Sequence, residues 1–218
     1  MVSCKKSLQE KPDSSLVIPK TAQEMASILD NSSVMNITPA LAQISSDDYY
    51  LTSPAIMLSL RNTTSKNAYS WQPEIYQGEV RIPDWVNPYR TVFYANSILD
   101  ILQQQDISKD TEKQVLKGWA LFSRSYAFYS LLCIFANAYD ATTSVSDLGI
   151  PLKLSANIDE QVPRSSLKEC YDRIINDLIL ASGLLQQDII PTKRNRPSKV
   201  AAFALLARIY LSMRDYEQ

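Results

Sequence analysis

The chain has 218 residues with 22 basic and 23 acidic side chains, a net charge of −1, so its bulk charge recruits no nucleic acid. Its 45% hydrophobic and 21% charged residues are the balance of a folded globular chain, not a disordered one. The lack of any histidine removes Ser-His-Asp and Cys-His nucleophile activation and imidazole metal sites, and the isolated Gly78, Gly118, Gly149 and Gly183 cannot build a phosphate-cradling loop.

Residues 1–20 read as a polar tether containing Pro12 and Pro19. Within it Cys4 follows Met1-Val2-Ser3 and precedes Lys5 and Lys6. A small residue before a cysteine at the extreme N-terminus is similar to the end of a bacterial lipoprotein signal, in which the thiol and the new amine carry acyl chains. The charged and apolar regions that should come first are not in the sequence, and a stray exposed thiol is the other reading of these residues. Thr21 then caps a short helix, with Glu24 completing a capping box and Met25, Ile28 and Leu29 forming one apolar face; the helix should stop near Asn31.

From Ser32 to Pro88 prolines 39, 54, 73, 83 and 88 punctuate an irregular segment. Asp47-Asp48-Tyr49-Tyr50 and Asn62-Thr63-Thr64 read as loop, and the segment predicts short turns with one helix near 54–61. Long helices are expected after Pro88. Tyr89, Val92, Phe93, Asn96, Ile98, Leu99 and Leu102 follow an i, i+3, i+4 rhythm, and Ser108 should cap the next helix, whose apolar residues run from Val115 to Tyr139. No charge occurs between Ser125 and Tyr139, but the run is shorter than the roughly 20 residues a membrane span needs, so a helix buried within a helical array is expected.

A loop should cover 140–163, followed by a helix capped by Ser165 or Ser166 through Leu185, a polar turn at 186–197, and a last helix from Ser198 to Met213. Cys4, Cys133 and Cys170 are too far apart for a zinc knuckle or a redox pair. Cys133 and Cys170 read as small buried apolar residues, a mutual disulfide being the alternative. The sequence predicts no catalytic residue, metal ligand or cofactor; Asp47 and Asp48 are adjacent, so their side chains diverge rather than act as a pair.

Two helices share one spacing. Trp119-x-x-Phe122-Ser123-x-x-Tyr126 and Phe203-x-x-Leu206-Ala207-x-x-Tyr210 both resemble the first helix of a tetratricopeptide repeat, although any two-helix motif can mimic that spacing. Arg214-Asp215-Tyr216-Glu217 looks like the turn inside such a repeat, so the chain is expected to be cut there, leaving Phe203, Leu206 and Tyr210 without a covering helix.

The order of features along the chain is more specific. Cys4 with its tether, Thr21-Ala22-Gln23-Glu24, Asp47-Asp48-Tyr49-Tyr50, Trp85-Val86-Asn87-Pro88-Tyr89 leading to Ala95-Asn96, and Gly118-Trp119-Ala120 through Arg124-Ser125-Tyr126-Ala127 come first. Asp147-x-Gly149-Ile150-Pro151-Leu152, Arg164-Ser165, Asp177-Leu178 and Lys199-Val200-Ala201-Ala202 through Ala207-Arg208-Ile209-Tyr210-Leu211 follow. Together they closely resemble the SusD/RagB family.

The resemblance implies an all-α, tetratricopeptide-like helical scaffold over 21–218 with an irregular, loop-rich N-terminal segment. It also implies a lipid-anchored outer-membrane protein of the Bacteroidota type, exposed at the cell surface. Such a protein binds glycan or peptide nutrient and closes over a TonB-dependent, SusC-like transporter. The family's chain is usually about twice this long, so the ligand site here would be incomplete. A tetratricopeptide adaptor gripping a partner protein is the competing reading; it has no use for Cys4 on a polar tether.

The family carries no fixed binding motif, so ligand contacts come only from physical chemistry. Sugar rings expose C–H faces that stack on aromatic planes, and Tyr69, Trp71 and Tyr76 lie in the irregular segment near Asn67 and Gln72. These three are the candidate ligand-binding residues. The alternative is that Trp71 and Tyr76 plug the gap between loop and helices. Trp85 and Trp119 read as core.

Overall fold

The computed structural model describes residues 19–60, 62–187, 189 and 191–218. Cys4 and nearly all of the expected tether lie outside them. Helix α1, Ala22–Leu29, begins as the sequence requires: Thr21 accepts from the Glu24 N–H, the Glu24 carboxylate accepts from the Thr21 N–H at 3.1 Å, and Met25 and Leu29 are buried. Four short helices follow, α2 (Ser32–Met35), α3 (Leu41–Ile44), α4 (Pro54–Ser59) and α5 (Thr63–Tyr69). The segment is thus more helical than expected, and Asn62-Thr63-Thr64 is not loop but the start of α5. Asn and Thr disfavour helix interiors because their side chains compete for the backbone, and the same property makes them caps: Asn62 Oδ1 accepts from the Ser65 N–H at 2.7 Å.

The scaffold is built from α6 (Pro83–Gln103), α7 (Thr111–Phe135), α8 (Leu167–Leu184) and α9 (Lys199–Met213). Helix α6 starts at Pro83 rather than after Pro88. Proline is suited to a first turn, whose N–H groups have no partner, and Pro88, one turn further in, forfeits only one bond near the helix start. Helix α7 is capped by Asp110, which accepts from the Lys113 N–H at 3.1 Å, two residues beyond the expected Ser108. A carboxylate also complements the helix dipole, which a serine hydroxyl does not. Ser166 and Glu169 form the capping box of α8, and Ser198 caps α9.

Helix α7 is central, packing on α1, α6, α8 and α9. Its N-terminal half, Leu116, Trp119 and Ala120, joins a core with Met25, Leu29, Ile98, Leu102 and Ala202. Its C-terminal half, Phe128, Leu131 and Leu132, joins a second core with Leu167, Ile174, Leu178, Leu205 and Ile209. Among the described residues no helix is long and apolar enough to cross a membrane.

Residues expected to be loop between α7 and α8 contain strand β1 (Leu148–Pro151), paired antiparallel with β2 (Arg164–Ser166). So short a pair has no legible alternation, and it is held by neighbours rather than propensity. A Cβ on Gly149 would lie 2.5 Å from Cys170 Sγ, so only glycine lets the strand lie this close to α8. Arg164 Nε donates to the Gly149 carbonyl at 2.6 Å. Both described cysteines are free. Cys170 is buried as expected, whereas Cys133 is exposed: Leu131 and Leu132 take the inward positions of the last α7 turn and leave it on the outer face.

A charged network crosses the core. Arg124 donates to Asp177 Oδ2 through Nε at 3.0 Å and Nη2 at 2.7 Å, and to Asn96 Oδ1 through Nη1 at 2.8 Å. Asn96 Nδ2 in turn reaches the carbonyls of Lys153 and Ser155 at 2.9 and 3.1 Å. Three helices and the segment after β1 are therefore tied through one guanidinium.

The two repeat-like spacings meet different surroundings. Trp119 and Ser123 are buried, with Phe122 and Tyr126 half-buried and stacked at 6.3 Å. In α9 Leu206 is buried and Tyr210 half-buried against the second core, so of the three residues expected to lack cover only Phe203, 52% exposed, does.

Candidate ligand-binding site

Helix α5 ends in a turn that determines where Trp71 points. The Trp71 N–H bonds to the Ala68 carbonyl at 3.2 Å and the Gln72 N–H to the Asn67 carbonyl at 2.9 Å. This is the 5→2 and 6→1 pattern of a Schellman motif, which requires a left-handed residue just past the helix end. Glycine usually fills that place. Here Trp71 does, at φ 52°, a conformation that costs an L-residue roughly 1–2 kcal/mol.

The strained turn leaves the indole 70% exposed, yet aimed: its Nε1 donates to the Ser45 carbonyl at 3.0 Å. One residue earlier on α3, the Ile44 carbonyl accepts from the Tyr49 hydroxyl at 2.8 Å. Both contacts use carbonyls at the C-terminal end of a helix, which have no partner within it. The Tyr49 ring lies 5.8 Å from that of Tyr69, whose hydroxyl accepts from the Leu51 N–H at 2.8 Å. Tyr49, Tyr69 and Trp71 thus gather at the end of α3, with the ring contact made between Tyr49 and Tyr69 and the indole held on the neighbouring carbonyl, and Tyr50, 78% exposed, leaves the same loop.

Of the three candidates, Tyr69 and Trp71 both lie by the end of α3, the first through Tyr49 and the second through Ser45, and Tyr76 lies elsewhere. The Tyr76 ring stacks on Phe135 at 6.5 Å with the planes 20° apart, and Phe135 meets Trp85 edge-on at 4.9 Å. Burial, and after it the nearby Asp84 charge, push the Tyr76 hydroxyl above its usual pKa. Tyr76 fills the seam between loop and helices, the alternative role considered for it. Asn67 is also occupied, donating to the carbonyls of Glu74 and Ile75 at 3.1 and 3.2 Å. The sequence marks Tyr49 and Tyr50 only as a pair of aromatics beside two aspartates in an irregular segment, which does not distinguish contacts from loop.

A depression of about 330 Å³ lies apart from this cluster, between α1, α7 and the 186–197 turn, with Leu116, Trp119 and Leu185 on its wall. Its rim is closed by Arg196, whose guanidinium sits 5.0 Å above the Trp119 ring and pairs with Asp30. Hydrogen bonding from Arg196 holds the Asp30 carboxyl below its usual pKa. Among the described residues no three acidic or cysteine side chains converge as a metal site would require.

A family model described as SusD-like, starch-binding and associating with the outer membrane, matches residues 6–211. Among solved structures, a candidate sugar-binding protein from Bacteroides vulgatus superposes with a TM-score of 0.69 at 24% identity, covering 92% of this chain and 44% of its own. A SusD superfamily protein from Bacteroides thetaiotaomicron gives 0.65 at 21% identity, covering 91% and 44%. A laminarin-binding SusD-like protein gives 0.63 at 18% identity, covering 87% and 39%. The chain spans less than half the length of each of these structures. No curated protein matches it.

Proposed function

The chain belongs to the SusD-like family, and on that premise we propose that it captures glycan at the cell surface and delivers it to a TonB-dependent transporter in the outer membrane. The observation that supports capture is the cluster of Tyr49, Tyr69 and Trp71, in which an indole is held open to solvent at a backbone cost. A left-handed backbone at an exposed aromatic is the kind of outlier from which a recognition role is inferred. Stacking one sugar ring on that indole contributes roughly 1 kcal/mol beyond area burial.

Trp71→Ala in the full-length protein should therefore weaken binding of the glycan selected on a microarray about five- to tenfold, while the melting temperature stays nearly unchanged. A large fall in melting temperature with undiminished binding by the folded fraction would assign Trp71 to the fold and leave the site unlocated. Binding of peptides instead of glycans on a parallel array would redirect the reading to a peptide nutrient at the same surface.

Anchoring through an acylated Cys4 is the second part of the proposal, supported by Ser3-Cys4 and the polar residues that follow. Expressed from its full precursor, the protein should fractionate with outer-membrane vesicles, and Cys4→Ala should release it. Equal retention of the Cys4→Ala variant would remove the anchor from the account.

A further inference from the structure

We propose that a cleft between α7, the end of α2 and the 186–197 turn binds a single sugar ring, as a second glycan contact independent of Trp71. The cleft holds about 240 Å³. That is below the roughly 300–1,000 Å³ of pockets for drug-sized ligands, so it admits one ring and not a chain. Phe122 and Tyr126, one turn apart on α7, both line it, and their ring planes are only 18° apart. Two near-parallel rings suit the C–H face of a pyranose.

The rim is already built. Asn36 Nδ2, just past α2, donates to the Asn195 carbonyl at 3.3 Å. Asn195 Nδ2 and Arg196 Nε in turn donate to Asp30 Oδ1 at 3.2 and 2.8 Å. The turn is therefore held against both α1 and the end of α2, and the cleft between them needs no ligand to form.

The observation that points to a ligand is Ser123. It lines the cleft and is 6% exposed, yet its hydroxyl has no hydrogen-bond partner among the described residues, whereas Ser97 and Ser130 bond back to their own helices. Nor is the hydroxyl sealed off: Arg90 Nε is the one enclosed polar atom without a partner among the described residues, so the Ser123 oxygen opens onto the cleft. Buried polar groups left unpaired are rare and call for a partner. Arg194, also on the wall, is exposed and pairs with no carboxylate among the described residues. The side-chain oxygens of Asn36 and Asn195 accept nothing there either.

These groups decide the class of ligand. An apolar side chain filling the cleft would leave the Ser123 hydroxyl and the two amides desolvated and unpaired, which is costly. A hydroxylated ring supplies both donors and acceptors to them while its C–H face meets the aromatic wall.

The test applies saturation-transfer NMR to the full-length Trp71→Ala variant, which lacks the indole of the first site. The probes are the methyl glycosides of glucose, galactose, mannose and N-acetylglucosamine. At least one should bind saturably. Adding Ser123→Ala should weaken that binding about three- to tenfold, the contribution of one hydrogen bond. The melting temperature should not fall, because the hydroxyl has no partner in the fold. Arg194→Ala should weaken binding by a similar factor. Saturable binding of none of the four overturns the proposal, as does binding that Ser123→Ala and Arg194→Ala leave unchanged. A lowered melting temperature with binding intact in Ser123→Ala assigns the hydroxyl to the fold and overturns it too. None of these outcomes bears on the Trp71 site, which fails separately if Trp71→Ala leaves oligosaccharide binding undiminished.

Discussion

Replacing Asp177 with alanine is expected to destabilise the fold by about 3–5 kcal/mol. Asp177 is 1% exposed and accepts two hydrogen bonds from the equally enclosed Arg124. Removing it leaves a guanidinium that cannot return to water and keeps only Asn96 as a partner. That is the costly way to break a buried ion pair, because the residual charge is uncompensated. With a urea dependence of about 1–3 kcal/mol per molar, the unfolding midpoint should fall by roughly 2 M. Arg173→Ala is the control: its contact with Asp177, at 3.3 Å, is made from a side chain 40% exposed, and such pairs contribute about 0–1 kcal/mol. If Asp177→Ala costs no more than the control, water reaches the pair and the network is not a structural tie.

The second large effect is at Trp119, where alanine should cost about 3–5 kcal/mol. Its indole is 3% exposed, touches the core shared by α1, α6 and α7, and carries the Arg196 guanidinium on its face. Truncation opens a cavity beside an existing depression and withdraws the surface on which the 186–197 turn is clamped. Thermal unfolding of Trp119→Ala beside Trp71→Ala reads this directly, because the two remove the same atoms from opposite environments. Equal melting temperatures for the two variants would contradict the burial of Trp119.

Much of the scaffold was legible because its signals are local. Thr21 with Glu24, Ser166 with Glu169, and Ser198 each announce a helix within three residues, and the apolar rhythm gives the extents of α8 and α9 to within one turn, whereas α6 starts six residues before Tyr89 and α7 ends four residues before Tyr139. The failures were of two kinds. At Asn62 and Asp110 the cap is ambiguous in the sequence because loop and helix start draw on the same residue types. Elsewhere the deciding contact lies far along the chain. Gly149 is shaped by Cys170, and Arg124 finds Asp177 53 residues later.

The candidate site fails for that second reason. Nothing near Trp71 in sequence indicates that Ser45, 26 residues earlier, holds its ring, or that Tyr76 turns away to Phe135. A tryptophan among turn residues reads equally as plug or platform until the Schellman turn is seen. Arg124, Asn96 and Asp177 show the converse: in the sequence they belong only to a family-like order of motifs, and their physical reason, a single buried network, is visible only in three dimensions.

The left-handed backbone at Trp71 sets two selective demands against each other. Glycine at that position would release the roughly 1–2 kcal/mol of backbone cost and keep both hydrogen bonds of the turn, at the loss of the exposed indole hydrogen bond to the Ser45 carbonyl, worth about 0.5–1.5 kcal/mol, so folding criteria alone rank it as neutral or better. The same change deletes the ring on which the proposed recognition depends. Stability and recognition therefore pull position 71 in opposite directions, and thermostabilising redesign of this protein has to hold that residue fixed.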